Sequence, residues 1–251
     1  MTYFILHNGR HIACDITIAS AAQSDSAGIF FLPGFRSDKN GGKATAIAGW
    51  ARENGYAMTR FDYSGHGESD GQFIDGTIGD WLSDAMAIFD TQTTGKQILV
   101  GSSMGGWISM HIALMRPERV HGIVGIATAI DFTEELIWNI LPDAAKQKLQ
   151  TDGVIYKPSD YSPAPTPFTL KLIMDGRNHL LFPRAKWPIR CPIRLIHGQM
   201  DTDVPWQFSS RILSHVQSAN KDLHLIPDGD HRLSRPEDIH LILDKIHGLQ
   251  G

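Results

Sequence analysis

The sequence predicts an α/β fold, a mostly parallel eight-stranded sheet with helices on both faces. Three observations predict it. Continuous apolar runs such as Gly28–Leu32 recur along the chain, and such continuity suits parallel strands buried on both faces. Helical patterns separate these runs, the alternation that builds strand–helix–strand units. A pentapeptide with a glycine at each end, Gly101-Ser102-Ser103-Met104-Gly105, falls where one such run meets one such helical pattern.

The elements follow in order. Asn8-Gly9 separates two apolar-rich runs, Thr2 to Leu6 and His11 to Ile18, and Asn-Gly is the strongest short hairpin signal. An antiparallel entry therefore precedes the buried strand Gly28–Leu32. Further strands are expected at Ala57 to Phe61, Ile98 to Val100 and Gly122 to Ala127. Helices are expected between them, from Gly42 to Asn54, Ile78 to Thr91 and Met104 to Met115. From about residue 130 to 188 the rhythm breaks. Helical patterns at Phe132 to Leu141 and Ala144 to Leu149 lead to proline-rich Tyr161–Pro167 and a further helix, Phe168 to Met174. That stretch greatly exceeds ordinary connections of about 4–6 residues, so it reads as a helical cap insertion over the active site. Alternation resumes with strand Ile193 to Ile196, a helix near Trp206 to Val216, strand Leu223 to Ile226 and a closing helix Glu237 to His247. Residues 1–251 read as one domain bearing that insertion.

Composition excludes several classes. A formal charge of −4, with basic residues scattered, gives no footing for nucleic acid or an anionic membrane. No run reaches the length of a membrane-spanning helix, and Met1–His7 lacks a basic leader, so a soluble cytoplasmic protein is expected without stable membrane insertion. Cys14 and Cys191 read as two reduced thiols rather than a secreted scaffold. There is no phosphate-binding glycine loop and no Cys/His/carboxylate cluster at metal-ligand spacing, so neither a cofactor nor a metal is expected.

Ser103 carries the chemistry. At a sharp strand-to-helix turn its hydroxyl is lifted out of the sheet, and the flanking glycines permit a strained backbone and close neighbours. A serine hydroxyl is a poor nucleophile until a base takes its proton. His231 follows the last strand in Gly229-Asp230-His231 and is the candidate base. Asp201 follows strand Ile193 to Ile196 and is the candidate acid that orients the imidazole, with Asp203 its rival. All three lie in loops past strand carboxyl ends, where catalytic groups of α/β sheets collect. His66, His179 and His197 read as structural or pocket-lining. The oxyanion of a tetrahedral intermediate is assigned to the backbone N–H of Met104 and of Phe35, the latter on the Pro33-Gly34-Phe35 loop.

The order Ser, Asp, His and these motifs resemble the α/β-hydrolase superfamily over nearly the whole chain. The motifs are Phe31-Leu32-Pro33-Gly34-Phe35, Arg60-Phe61-Asp62-Tyr63-Ser64-Gly65-His66-Gly67-Glu68-Ser69, the serine pentapeptide, His197-Gly198 with Asp201 and Val204-Pro205, and Gly229-Asp230-His231. Phe61–Gly65, Gly101–Trp107, Cys191–Leu195 and Val204–Trp206 are similar to the mitochondrial palmitoyl-protein thioesterase and acyl-glucuronide esterase branch and its bacterial relatives. The resemblance implies cleavage of an ester or thioester in a small-molecule or acyl-protein substrate. Gly34, Trp107, Trp138 and Trp206, with apolar Phe132, Leu136, Ile137 and Leu141, are the candidate substrate-binding residues. C–C bond hydrolysis or other serine-hydrolase chemistry on the same triad, such as peptide-bond cleavage, or a non-catalytic ligand-binding module, are the alternatives.

Overall fold

The computed structural model describes residues 2–158 and 163–250. Tyr161 and Ser162 of the proline-rich segment lie outside the described residues.

Strands β1 (Thr2–His7) and β2 (Arg10–Thr17) form the antiparallel hairpin, paired from Thr2 with Asp15 to His7 with Arg10. Asn8 and Gly9 turn it at φ 49° and 74°, the left-handed pair that suits the twist of the strands. The remaining strands of the large sheet are β3 (Gly28–Leu32), β4 (Met58–Phe61), β5 (Gln97–Ser102), β6 (Val120–Ile126), β9 (Ile193–Gly198) and β10 (Lys221–Ile226). The eight strands stand in the order β1-β2-β4-β3-β5-β6-β9-β10. β2 runs antiparallel to β4, and from β4 to β10 all pairs are parallel. The expected sheet is borne out.

Helices cover both faces. On one side α1 (Gly42–Glu53) and α7 (Pro236–His247) bury Ile47, Ala51, Ile242 and Ile246 against Ile29, Phe31, Ile98 and Val100. On the other, α2 (Ile78–Gln92), α3 (Met104–Met115) and α6 (Gln207–His215) pack on Phe30, Leu32 and Leu99. Alternate residues of β3 thus feed opposite cores, as the period of a strand requires. β3 and β5 are neighbours although β4 lies between them in sequence, so connections leave in opposite directions there. The crevice past the carboxyl ends at such a switch is where α/β sheets bind ligands.

Between β6 and β9 the chain makes the insertion. It comprises a π-helix (Thr133–Trp138), α4 (Asp143–Asp152), the antiparallel pair β7 (Val154–Lys157) and β8 (Thr166–Thr169), α5 (Leu170–Gly176) and a 3₁₀ turn (Arg177–His179). Two expectations are corrected. The first segment is not an α-helix from Phe132 to Leu141, since its bonds skip five residues, as from Asn139 N to Glu134 O. The helix expected from Phe168 begins at Leu170, because Thr166–Thr169 pair with β7 and the Thr169 hydroxyl accepts from Leu172 N. Entry and exit of the insertion are tied by Asp131, whose carboxylate accepts from Leu181 N and Phe182 N, each at 2.8 Å. Burial holds the Asp131 carboxyl up at about 6 despite these bonds.

Candidate active site

Ser103 stands between β5 and α3 with φ 53° and ψ −116°. A non-glycine residue there stores strain of about 1–3 kcal/mol, which the surroundings must impose. Its amide donates to Ile126 O at 2.8 Å, and its carbonyl accepts from Gly106 N and Ala129 N. The glycines keep the neighbours close. A Cβ on Gly105 would lie 2.6 Å from Pro33 O, and one on Gly101 would lie 2.5 Å from Gly105 O.

Three side chains from three loops meet. His231 Nε2 lies 3.2 Å from Ser103 Oγ, and His231 Nδ1 lies 2.7 Å from Asp201 Oδ2. Asp201 Oδ1 accepts from the amides of Asp203 and Val204 at 2.9 and 2.8 Å, so it is Asp201 that reaches His231. The carboxylate is fully buried, whereas His231 keeps 16% exposure at the cavity side. Burial pushes the Asp201 carboxyl up, but hydrogen bonds from His197 and His231 outweigh it and hold it well below the usual carboxylate range.

His197 is the residue sequence reasoning undervalued. Its Nε2 lies 3.1 Å from Asp201 Oδ2 and 2.9 Å from Val204 O, both acceptors. The proton therefore sits on Nε2, and Nδ1 accepts from the Ser209 hydroxyl at 2.7 Å. The signal was present in His197-Gly198-Gln199-Met200-Asp201, where a strand end and a loop place the two side chains together.

The hydroxyl of Ser103 opens into a cavity of about 540 Å³. Gly34, Phe35, Met104 and His231 line it, as do Phe132, Leu136, Ile137 and Phe168 from the insertion. Neither the Phe35 nor the Met104 amide has a hydrogen-bond partner among the described residues. Trp107, Trp138 and Trp206 are not among the lining residues. The Trp107 ring is fully buried against Phe132, with Nε1 donating to His179 O at 3.2 Å. The Trp138 ring meets the cations of Arg177 and Lys146, 4.7 and 5.7 Å from its centroid, and Trp206 precedes α6 half-buried. The cavity also meets cations that sequence reading did not single out, Arg36, Lys43, Lys157 and Arg232, beside Asp38 and Asp203. Burial and the neighbouring Arg232 lower the Lys43 ammonium to about 8.

Asp201, Asp203 and His231 bring potential ligand atoms within 4.8 Å of one another, a grouping the sequence spacing did not reveal. Within the group, His231 Nδ1 and Asp201 Oδ2 are hydrogen-bonded to each other.

A parallel sheet with an uncapped serine elbow at its switch point, faced by histidine and aspartate, defines a hydrolase class. The chain belongs to the α/β-hydrolase family, with residues 24–157 matching Hydrolase_4 (Serine aminopeptidase, S33). It is 41% identical over 225 residues to human Palmitoyl-protein thioesterase ABHD10, mitochondrial, a match covering 89% of this chain and 73% of that protein. A putative hydrolase from Agrobacterium vitis S4 has a similar crystal structure, with TM-score 0.94 and 38% identity, covering 100% of this chain and 99% of the other. Alpha/beta hydrolase domain-containing protein 10 from mouse matches with TM-score 0.89 and 35% identity over 99% of this chain and 98% of its own. The resemblance read from the motifs is borne out. Among the described residues, no helix is long and apolar enough to cross a membrane.

Proposed function

We propose that the chain is a serine esterase or thioesterase working through an acyl-enzyme on Ser103. The observation that carries this reading is the continuous hydrogen-bond chain Ser103–His231–Asp201 at the floor of the cavity. His231 Nε2 takes the hydroxyl proton as Ser103 Oγ attacks the acyl carbonyl. Asp201 fixes the tautomer with the proton on Nδ1 and stabilises the imidazolium that forms. Phe35 N–H and Met104 N–H receive the developing oxyanion, aided by the positive end of α3. The C–O or C–S bond then breaks, and the imidazolium returns its proton to the departing alcohol or thiol. Water attacks the acyl-enzyme by the same route, releasing acid and free serine.

Phe132, Leu136, Ile137 and Phe168 offer an apolar wall, which we assign to the acyl chain, so that the insertion serves as a cap. Arg36, Lys43 and Arg232 are assigned to the leaving group, whereas Lys157 lies over the ring of Phe168. The thioesterase activity in the name of the human relative supports an acylated thiol as one substrate. The cations favour an acidic leaving group, and with it the acyl-glucuronide reading. The free thiols of Cys14 and Cys191 fit a reducing compartment, and the cytoplasm is the one proposed.

Hydrolysis of p-nitrophenyl esters from acetyl to palmitoyl, with Ser103→Ala as the blank, tests the reading. Turnover that rises with chain length and drops by at least about 10³-fold in the variant is expected. Turnover confined to short chains would remove the long-acyl assignment, and turnover that survives in the variant would remove Ser103.

A further inference from the structure

We propose that His66 is a positioning residue that holds the turn carrying the Phe35 amide and so keeps that oxyanion donor aimed. The proposal rests on the esterase reading, in which Phe35 N–H receives the oxyanion. Residues Gly34–Ser37 form a turn closed by Ser37 N–H donating to Gly34 O at 3.0 Å. Its third residue, Arg36, has φ 58°. That is the left-handed value of a type II turn, a place ordinarily taken by glycine or asparagine. An arginine resists this conformation, and its amide needs an acceptor on the side to which the central peptide is turned. The acceptor is His66 Nε2, 3.2 Å from Arg36 N.

The ring can accept there in one form only. His66 Nδ1 lies 3.2 Å from the Ser64 carbonyl, which cannot donate, so the proton sits on Nδ1 and Nε2 keeps its lone pair. The imidazole is buried among the rings of Tyr63, Phe73 and Trp81, with centroids 5.7, 5.1 and 5.2 Å away. Burial lowers its pKa to about 4, which keeps it neutral. Gly65, with φ 73°, fixes the loop that presents it, since a Cβ there would lie 2.7 Å from Phe73 N. Were the peptide between Phe35 and Arg36 to flip and relieve the arginine, the Phe35 carbonyl would face the Nε2 lone pair, acceptor against acceptor. The ring thus selects one form of the turn. From the opposite side, the Arg36 guanidinium donates to Thr166 Oγ1 at 2.8 Å and to Pro165 O at 3.3 Å, anchoring the same turn to the insertion.

Two conservative variants separate the role from simple folding. His66→Asn can keep the bond to Ser64 O but leaves Arg36 N–H without an acceptor. His66→Gln can place an acceptor where Nε2 stands. With p-nitrophenyl butyrate, His66→Asn is expected to lose about 10–100-fold in kcat, with KM within about threefold. His66→Gln should remain within about fivefold of wild type in kcat, and a trifluoromethyl ketone, whose adduct carries an oxyanion, should weaken in parallel with kcat. Any other ordering overturns the proposal, whether both variants are equally impaired, neither is impaired, or glutamine is the worse. A wild-type protein without turnover would instead defeat the esterase reading before the variants are compared.

Discussion

At the scale of single residues, Asp201 is the most heavily supported group in the site. Two histidines and two backbone amides converge on one buried carboxylate. Its pKa is depressed in the folded protein, which fixes the sign of its effect. The stability it contributes is complete above the unfolded carboxylate range, near about 3.9, and is lost as pH falls through and below it. The gap in thermal midpoint between wild type and Asp201→Asn should therefore be wider between about pH 6 and 8 than below about pH 4. Thermal melts across that range check it, and a gap that widens in acid would contradict it. Ser103, Asp201 and His231 were legible in the sequence because each follows a readable strand end. Their pairing, His231 on Ser103 and Asp201 on the imidazole, followed from the roles read there, but the support from His197 did not. Trp107 illustrates the limit. Four residues after Ser103 on α3, it is near the serine in sequence, yet its ring turns into the core toward His179. Spacing along a helix does not say which neighbour a face meets.

At the scale of elements, the junction of β3, β5 and α3 decides whether a serine can be presented at all. Gly105 lets the first turn of α3 sit directly on the end of β3, where a Cβ would strike the carbonyls of Leu32 and Pro33. Backbone cannot yield as a flexible side chain does, so Gly105→Ala is expected to cost about 1–3 kcal/mol or more. The shift must propagate to Pro33-Gly34-Phe35, so esterase activity should fall further than the lowered thermal midpoint alone explains. Melting curves beside kcat test this, and an unchanged midpoint would show that the contact is not tight. Hairpin β1–β2 and the buried strands were readable because Asn-Gly and continuous apolar runs act locally. The pair β7–β8 was not, since four-residue strands beside prolines carry too little periodicity. The π-helix has no sequence signature of its own, whereas Thr169 as a capping residue could have set the start of α5.

At the scale of the whole molecule, the topology does the assembling. The strand order reverses beside β3, so the loop holding Phe35 and the elbow holding Ser103 leave the sheet as neighbours. β9 and β10 bring Asp201 and His231 to the same edge, and the insertion between β6 and β9 closes a cavity above them. Order along the chain made the sheet and the triad foreseeable, but the wall of the cavity depends on how the insertion folds back, which no local pattern records. The central claim is that this arrangement makes Ser103 a nucleophile. Intact mass measurement after exposure to a fluorophosphonate probe, followed by peptide mapping, tests it most directly. A single adduct on the peptide carrying Ser103, absent in Ser103→Ala, is the expected result. A wild-type protein that gains no mass, or a variant that is still labelled, would contradict it.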